Sequence, residues 1–413
     1  MSLLTETRTS LKIPFSPPFI DEDVIAEVVD TLRSGWITTG PKVVQLETLV
    51  RDILDVRKAV CVNSWTSGAM LAFKWLGIGP GDEVIIPAYT YAATALAVLH
   101  TGATPVFVDI LDDFTVDPKR IRAAITTKTK AILAVDIGGL PCRYDEIREC
   151  LLDGDVIKNF ASSNEVQKMF GRPVIIADAA HSLGAMYKGA SAALAADITI
   201  FSLHAVKNVT TAEGGIICFS LPAPFDNETV YQWMKLNSLN GQTKDAFSKQ
   251  KVGDWKYDIV SDGLKINMPD VCAAIGLAQL RKYQGSLLPA RKDVFRQYAD
   301  LLVGKDWAII PLVEDEQRSS SYHLFQLRLK GLSENQRDMI IKKLAEANIA
   351  SNVHFIPLPL LTLFKDRGYQ IEQYPVAYEC YTNEISLPLY PQLTSVDCAY
   401  IVETLERAYF EVA

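Results

Sequence analysis

Six short apolar runs rich in β-branched residues, at 59–62, 84–86, 105–108, 131–135, 174–177 and 198–201, constrain this chain more than any other feature. Most are separated by stretches long enough for a helix, such as 69–76 and 92–99. Strands alternating with helices predict a mostly parallel sheet with helices on both faces, an α/β architecture. Upstream, Ile20, Val24, Ile25, Val28, Val29 and Leu32 recur at helical spacing before the break Ser34-Gly35, and a second helix is expected over 43–54. The polar stretch 153–171 reads as an exposed helix-and-loop insertion. A long helical pattern from Pro269 through 302 connects to a smaller α+β unit, with strands expected at 322–327 and 349–355 and a helix at 337–347. The division expected is a large domain over 1–284 and a small one over 285–413.

The chain has 413 residues, with 41 Lys and Arg against 49 Asp and Glu, a net charge of −8. That balance argues against a nucleic-acid partner, since phosphate neutralisation needs a basic surface. The 7 cysteines are scattered, with no C-x-x-C pair, so neither a disulfide framework nor a zinc site is indicated and no metal is expected. The N-terminus has no apolar signal core. The uncharged run between Glu83 and Asp109 is broken by Pro87, Gly102 and Pro105 and reads as strand, turn, helix, turn, strand rather than a membrane span. A cytoplasmic protein with no membrane partner is the expectation.

In an open α/β sheet, ligands bind beyond the carboxyl ends of the strands. After the first run stands Asn63-Ser64-Trp65-Thr66-Ser67-Gly68, entering a helix: either an ordinary N-cap or an anion nest. After the second stands Pro87-Ala88-Tyr89-Thr90-Tyr91, where an aromatic at the strand end serves either the core or stacking on a planar ligand. Asp178 follows the fifth run, where a buried carboxylate needs a local cap, a cation, a metal or a protonated heterocycle nitrogen. After the sixth comes Lys207, between Val206 and Val209 and ahead of Gly214-Gly215, where partial desolvation would lower its pKa. Together these four groups match one small molecule, pyridoxal 5′-phosphate: nest for phosphate, aromatic for ring, acid for ring nitrogen, amine for aldehyde.

The sequence also resembles the DegT/DnrJ/EryC1/StrS sugar aminotransferases, of the fold-type I pyridoxal-phosphate class. The blocks that carry the likeness are Ser34-Gly35-Trp36-Ile37-Thr38-Thr39-Gly40-Pro41, Pro87-Ala88-Tyr89-Thr90-Tyr91, Asp178-Ala179-Ala180-His181-Ser182, the segment 204–215, Asn267-Met268-Pro269-Asp270 and Ser386-Leu387-Pro388-Leu389-Tyr390-Pro391. The resemblance implies a mostly parallel seven-stranded sheet. It makes Lys207 the Schiff-base lysine, Asp178 the partner of the pyridine nitrogen and Tyr91 the stacked ring. It puts His181 beside the cofactor's 3′-hydroxyl or behind Asp178, and Thr66, Ser67 and Ser202 on the phosphate. Asn267 would reach the phosphate of a neighbouring subunit in a homodimer, or simply start the helix before Pro269. Trp36, Thr38, His204, Asn352 and His354 would lie on the substrate side, with His354 equally readable as a core histidine on a strand.

Two departures bear on the substrate pocket: Asp136-Ile137-Gly138-Gly139 replaces the His and Tyr-Gly often found after the fourth strand, and the 153–171 insertion is longer than usual. One branch of the family carries histidine in place of the lysine and dehydrates sugars; Lys207 favours transamination. The activity implied is transfer of an amino group from an amino acid, L-glutamate by expectation, to a nucleotide-linked keto-sugar, a 4-keto-6-deoxyhexose. The alternatives are a cofactor-dependent sugar dehydratase, a non-catalytic regulator, and an enzyme of free amino acids needing an arginine clamp.

Overall fold

A computed structural model describes residues 12–243 and 255–413. Its central sheet has seven strands: β1 Lys58–Val62, β2 Glu83–Pro87, β3 Thr104–Val108, β4 Thr129–Val135, β5 Val174–Asp178, β6 Ile198–Ser202 and β7 Gly215–Phe219. They lie in the order β1-β7-β6-β5-β4-β2-β3. The pairs β2–β3, β2–β4, β4–β5 and β5–β6 are parallel, whereas β7 runs antiparallel to both β1 and β6.

Side-chain alternation explains why helices cover both faces. Val60, Val62, Val84, Ile86 and Leu133 enter one apolar core, while Ala59, Cys61, Ile85, Ile132 and Ala134 enter the other. Strand β7 has no counterpart among the expected runs. Its sequence Gly-Ile-Ile-Cys-Phe is continuously buried, so it lacks a period, and the preceding Gly214 makes it look like the tail of a loop.

The N-terminal helices are α1, Glu22–Arg33, and α2, Pro41–Leu54. Helix α2 starts two residues before the expected position because Pro41 suits a first turn and the Asp270 carboxylate accepts hydrogen bonds from the Gly40, Lys42 and Val43 N–H groups. Helices α3, Trp65–Leu76, and α4, Ala92–His100, follow β1 and β2. The polar insertion forms two short helices, Gly154–Asn159 and Glu165–Phe170. It is less exposed than expected: Gln167 is buried, Asn164 and Gln167 both donate to the Leu76 carbonyl, and Phe170 packs on Trp75.

The connecting helix is interrupted. Asp270–Lys282 passes through a π-helical turn, Tyr283–Leu287, into Leu288–Leu302. Beyond it a second sheet joins β8 Ala308–Ile309, β9 Phe325–Leu329 and β10 Glu384–Leu387 in the order β8-β9-β10. Its core includes Phe325, Leu327, Ile340, Leu344 and Ile401, and takes in Ile13 from the N-terminal segment. Leu358, Phe364, Tyr374 and Cys380 belong instead to a core of the large sheet.

Two strand expectations need correction. The run 322–327 is strand only from Phe325, since Tyr322 has a left-handed φ of 53°. The run 349–355 makes only isolated bridges, Ile349 with Ile13 and Asn352 with Ser386, because the chain then leaves the sheet to line a cavity. The expected helix at 337–347 spans Glu334–Glu346, started by a capping box at Ser333 and Gln336. Among the described residues no helix is long and apolar enough to cross a membrane.

Candidate active site

A cavity of about 710 Å³ opens at the carboxyl ends of β1, β2, β5 and β6. It gathers Thr66 at the start of α3, Tyr91 before α4, Asp178, His181, Ser202, His204 and Lys207, together with Asn352 and His354.

The start of α3 is set by Ser64, whose hydroxyl oxygen accepts from the Ser67 N–H at 3.1 Å. Ser64 also donates to the Ser67 hydroxyl at 2.8 Å, so Ser67 serves the cap and does not line the cavity. Thr66 does, as does Trp65, whose buried indole N–H has no partner among the described residues. Strand β7 meets this turn closely: a Cβ on Gly215 would come within 2.5 Å of the Ser64 carbonyl oxygen.

Asp178 ends β5 and is 4 % exposed. Thr94 of α4 donates to its Oδ2 at 2.8 Å, and the Ala180 N–H donates to Oδ1 at 3.3 Å. Burial nevertheless outweighs these bonds and the nearby Lys207 charge, and raises the carboxyl to about 7. Lys207 lies in the connection between antiparallel β6 and β7, which is pinned by Leu203 N–H to Gly214 O (2.8 Å) and Thr211 N–H to Leu203 O (2.9 Å). Its chain keeps some exposed surface, but enclosure of the amine lowers it to about 8, against the opposing pull of Asp178.

Three imidazoles surround this pair. His181 accepts from the Gly138 N–H at Nδ1 (3.2 Å), which leaves its proton on Nε2. Sequence reasoning missed His323, which lies 4.3 Å from His181 between ring centroids and also lines the cavity. Its Nδ1 meets Asn208 Oδ1 at 2.8 Å. The Asn208 amide nitrogen donates to the Ser321 carbonyl and the Tyr283 hydroxyl, so its oxygen must accept and His323 carries its proton on Nδ1. Burial holds both rings neutral, with values well below 6.5. His323 sat in a run that reads as core strand, and no local signal distinguished it. Thr94 was missed as the support of Asp178, although a hydroxyl one turn into the helix after Tyr91 was a readable cue. Phe15 was missed for want of any local cue; it stacks on His354 at 5.3 Å.

Tyr91 is 64 % exposed, and its aromatic neighbour is Phe355 at 5.8 Å. Ser202 lines the cavity and accepts from the His204 N–H at 3.4 Å; His204 faces Glu213 at 3.6 Å. Trp36, Thr38 and Asn267 do not line the cavity and form a separate group. Asn267 donates to Thr39 Oγ1 (2.6 Å), Trp36 donates to the Thr39 carbonyl (3.1 Å), and the Thr38 carbonyl accepts from Asp270 N–H (3.2 Å). The loop 36–40 is thus folded onto the start of the Asp270–Lys282 helix, which a pattern of single residues could not show.

These residues fit pyridoxal 5′-phosphate. An indole N–H unpartnered among the described residues and a threonine at a helix start supply donors for an anion, a buried carboxyl lines the same cavity as a buried amine, and the exposed Tyr91 ring lines it too. Similar proteins agree. A Streptococcus pneumoniae protein provisionally assigned as a sugar aminotransferase, solved in its PMP form, is 45% identical over 97% of this chain and 100% of its own, with a TM-score of 0.93. Its PLP form matches at 44% identity over 98% and 100%, with the same TM-score. The spore coat polysaccharide biosynthesis protein SpsC of Bacillus subtilis is 35% identical over 95% of this chain and 96% of its own. The UDP-4-amino-4-deoxy-L-arabinose–oxoglutarate aminotransferase of Shewanella sediminis is 34% identical over 96% and 97%. A family model covers residues 18–406, and the chain belongs to the DegT/DnrJ/EryC1/StrS aminotransferase family as a pyridoxal-phosphate-dependent enzyme.

Proposed function

We propose that this aminotransferase moves the amino group of L-glutamate onto a nucleotide-linked keto-sugar, a 4-keto-6-deoxyhexose, in making an amino sugar for surface polysaccharide or a glycosylated metabolite. The observation that carries the transfer is the buried Lys207 amine sharing one cavity with the buried Asp178 carboxyl. Bound pyridoxal phosphate supplies an aldehyde that takes up amines and a ring that withdraws electrons from the adjoining carbon. Asp178 holds a proton at the ring nitrogen. Lys207, with an amine lowered to about 8, takes a proton from a carbon and returns it near neutral pH. His181, with its proton on Nε2, donates to an oxygen in the same space.

The sugar is supported by cavity size and by polar groups that a free amino acid would not need. About 710 Å³ exceeds what a cofactor ring and an amino acid fill, and the polar Asn352, His354 and His204 line the same cavity. The sugar transferases among the relatives support the same acceptor class, and the oxoglutarate in the name of the Shewanella protein supports glutamate as donor. We assign Trp36, Thr38 and Asn267 to the partner's cavity in a cytoplasmic homodimer; the exposed Ile37 and Val44 beside them support a covered surface.

The test is a half-reaction screen. Glutamate should bleach the visible band of the loaded enzyme, and one nucleotide keto-sugar from a panel should restore it. Bleaching without restoration by any keto-sugar would overturn the acceptor; absence of bleaching would overturn the donor.

A further inference from the structure

Behind His354 lies a line of buried groups to which transamination assigns no part. Strand β10 alternates, so Glu384 and Ser386 share one side while Ile385 and Leu387 enter the core. Ser386 pairs with Asn352 through backbone bonds in both directions, which brings His354 alongside. Ser386 Oγ donates to Glu384 Oε1 at 2.5 Å, and His354 Nδ1 lies 2.8 Å from Ser386 Oγ. The His354 backbone N–H donates to Glu384 Oε2 at 2.9 Å, while Gln326 holds the His354 carbonyl at 2.8 Å. Phe15 stacks on the ring and Phe355 meets it edge-on. Glu384 and Ser386 are fully buried, and only His354, with Asn352 3.4 Å from its Nε2, reaches the cavity.

We propose that Glu384, Ser386 and His354 form a proton relay that opens on the cavity at His354 Nε2 and exchanges one proton with an oxygen of the acceptor sugar. With Glu384 ionised, Ser386 gives its only proton to the carboxylate, so its oxygen accepts from Nδ1–H and Nε2 presents a lone pair. A proton taken up at Nε2 releases the Nδ1 proton to Ser386 Oγ, and the serine's own proton passes to Glu384 Oε1. The N–H and O–H bonds made equal those broken, apart from the one proton gained. The imidazole ends neutral with its hydrogen on Nε2, now a donor. Loss of a carbonyl oxygen as water needs protons delivered to it, and both hydrogens of that water come from the attacking amine. The relay holds one of them in passing and returns it, with no net change.

Electrostatics favour the glutamate as the proton's resting place. Lys207, His181 and His323 face His354 from neighbouring elements, and burial with the Lys207 charge lowers the imidazole to about 3. Burial raises Glu384 to about 8 despite the hydrogen bonds from Ser386 and the His354 N–H and the nearby Arg337, and its charge is felt by the buried Tyr89 hydroxyl. By itself His354 is a poor base near neutrality; joined to Glu384 it is matched to it.

The sugar-transfer reading enters here only in naming the oxygen served, and the test separates the two. In protein labelled with ¹⁵N-histidine, only 5 residues contribute signals. Raising pH through about 8 should move His354 from the Nε2–H to the Nδ1–H form without an imidazolium. That change should vanish in Ser386→Ala and Glu384→Gln and persist in Ser386→Thr. In stopped flow, discharge of the aminated enzyme by the keto-sugar should slow at least about tenfold in Ser386→Ala and Glu384→Gln, recover in Ser386→Thr, and leave the glutamate half-reaction within about threefold. A wild-type His354 that keeps one tautomer, or forms an imidazolium, between about pH 6 and about pH 10 would overturn the relay. Equal slowing of both half-reactions would overturn the role at the sugar. If no keto-sugar discharges the enzyme while the tautomer change is present, the acceptor assignment falls and the relay stands.

Discussion

Replacing Asp178 by asparagine should stabilise the cofactor-free protein at alkaline pH while abolishing turnover. The carboxyl titrates near 7 in the folded chain, against an ordinary 3.8, because burial outweighs the hydrogen bond from Thr94. At 1.36 kcal/mol for each tenfold change in proton affinity, that difference makes the folded state less stable by roughly 4 kcal/mol once the group is ionised in both states. The sign follows from which state holds the proton. Below about pH 4 both states are protonated and nothing is lost; between about 4 and about 7 the unfolded chain releases its proton while the folded chain keeps it, so stability falls as pH rises; above that the loss is constant. Asparagine cannot ionise, but it places an amide donor beside the Ala180 N–H, so the expected net gain is about 2–4 kcal/mol above neutrality. Thermal melts of cofactor-free wild type and variant at about pH 5 and about pH 9 measure it: the variant's advantage should be several degrees at the higher pH and shrink at the lower. Adding pyridoxal phosphate should reverse the order at the higher pH, because a protonated ring nitrogen gives the carboxylate its counter-charge. A gap that does not vary with pH, or a cofactor-free wild type that is the more stable at about pH 9, would refute the reasoning.

Two other substitutions probe the site. Lys207→Ala should remove the Schiff-base absorption band of the loaded protein and lower turnover by at least about 10²–10⁴-fold, measured by spectrum and by steady-state assay. Gly139→Ala should destabilise the fold by about 1–3 kcal/mol in a urea titration, since a left-handed residue would have to carry a methyl group against packed neighbours. The backbone there has φ +100°, and the Cβ would stand 2.3 Å from Ser321 Oγ and 3.1 Å from the His181 carbonyl oxygen. The same variant should weaken cofactor binding, because Gly138 N–H orients His181.

The large sheet was legible because burial on both faces demands continuous apolar runs, and the runs at β1, β2, β4, β5 and β6 are such. Strand β7 escaped because a short buried run after glycines has neither period nor length to identify it. Within the site, Asp178 was readable since a charge at the end of a buried strand conflicts with its surroundings unless it has a task, and Lys207 because it stands between apolar residues in the connection after one. Ser67 and Thr66 were indistinguishable in sequence; only the Ser64 cap decides which hydroxyl faces inward.

The sequence by itself determined the alternation of strands and helices, and with it the edge of the sheet where an acid and an amine would meet, because hydrophobic period and strand-end position are local properties. Tertiary structure alone decided what surrounds them. Asp270 caps a helix more than two hundred residues away, Phe15 covers His354 from the N-terminal segment, and Asn208 fixes the proton of His323 across the cavity wall. Which nitrogen of a histidine carries its hydrogen, and whether a carboxyl keeps its proton at neutral pH, depends on partners and burial supplied by distant segments, and no local pattern encodes either.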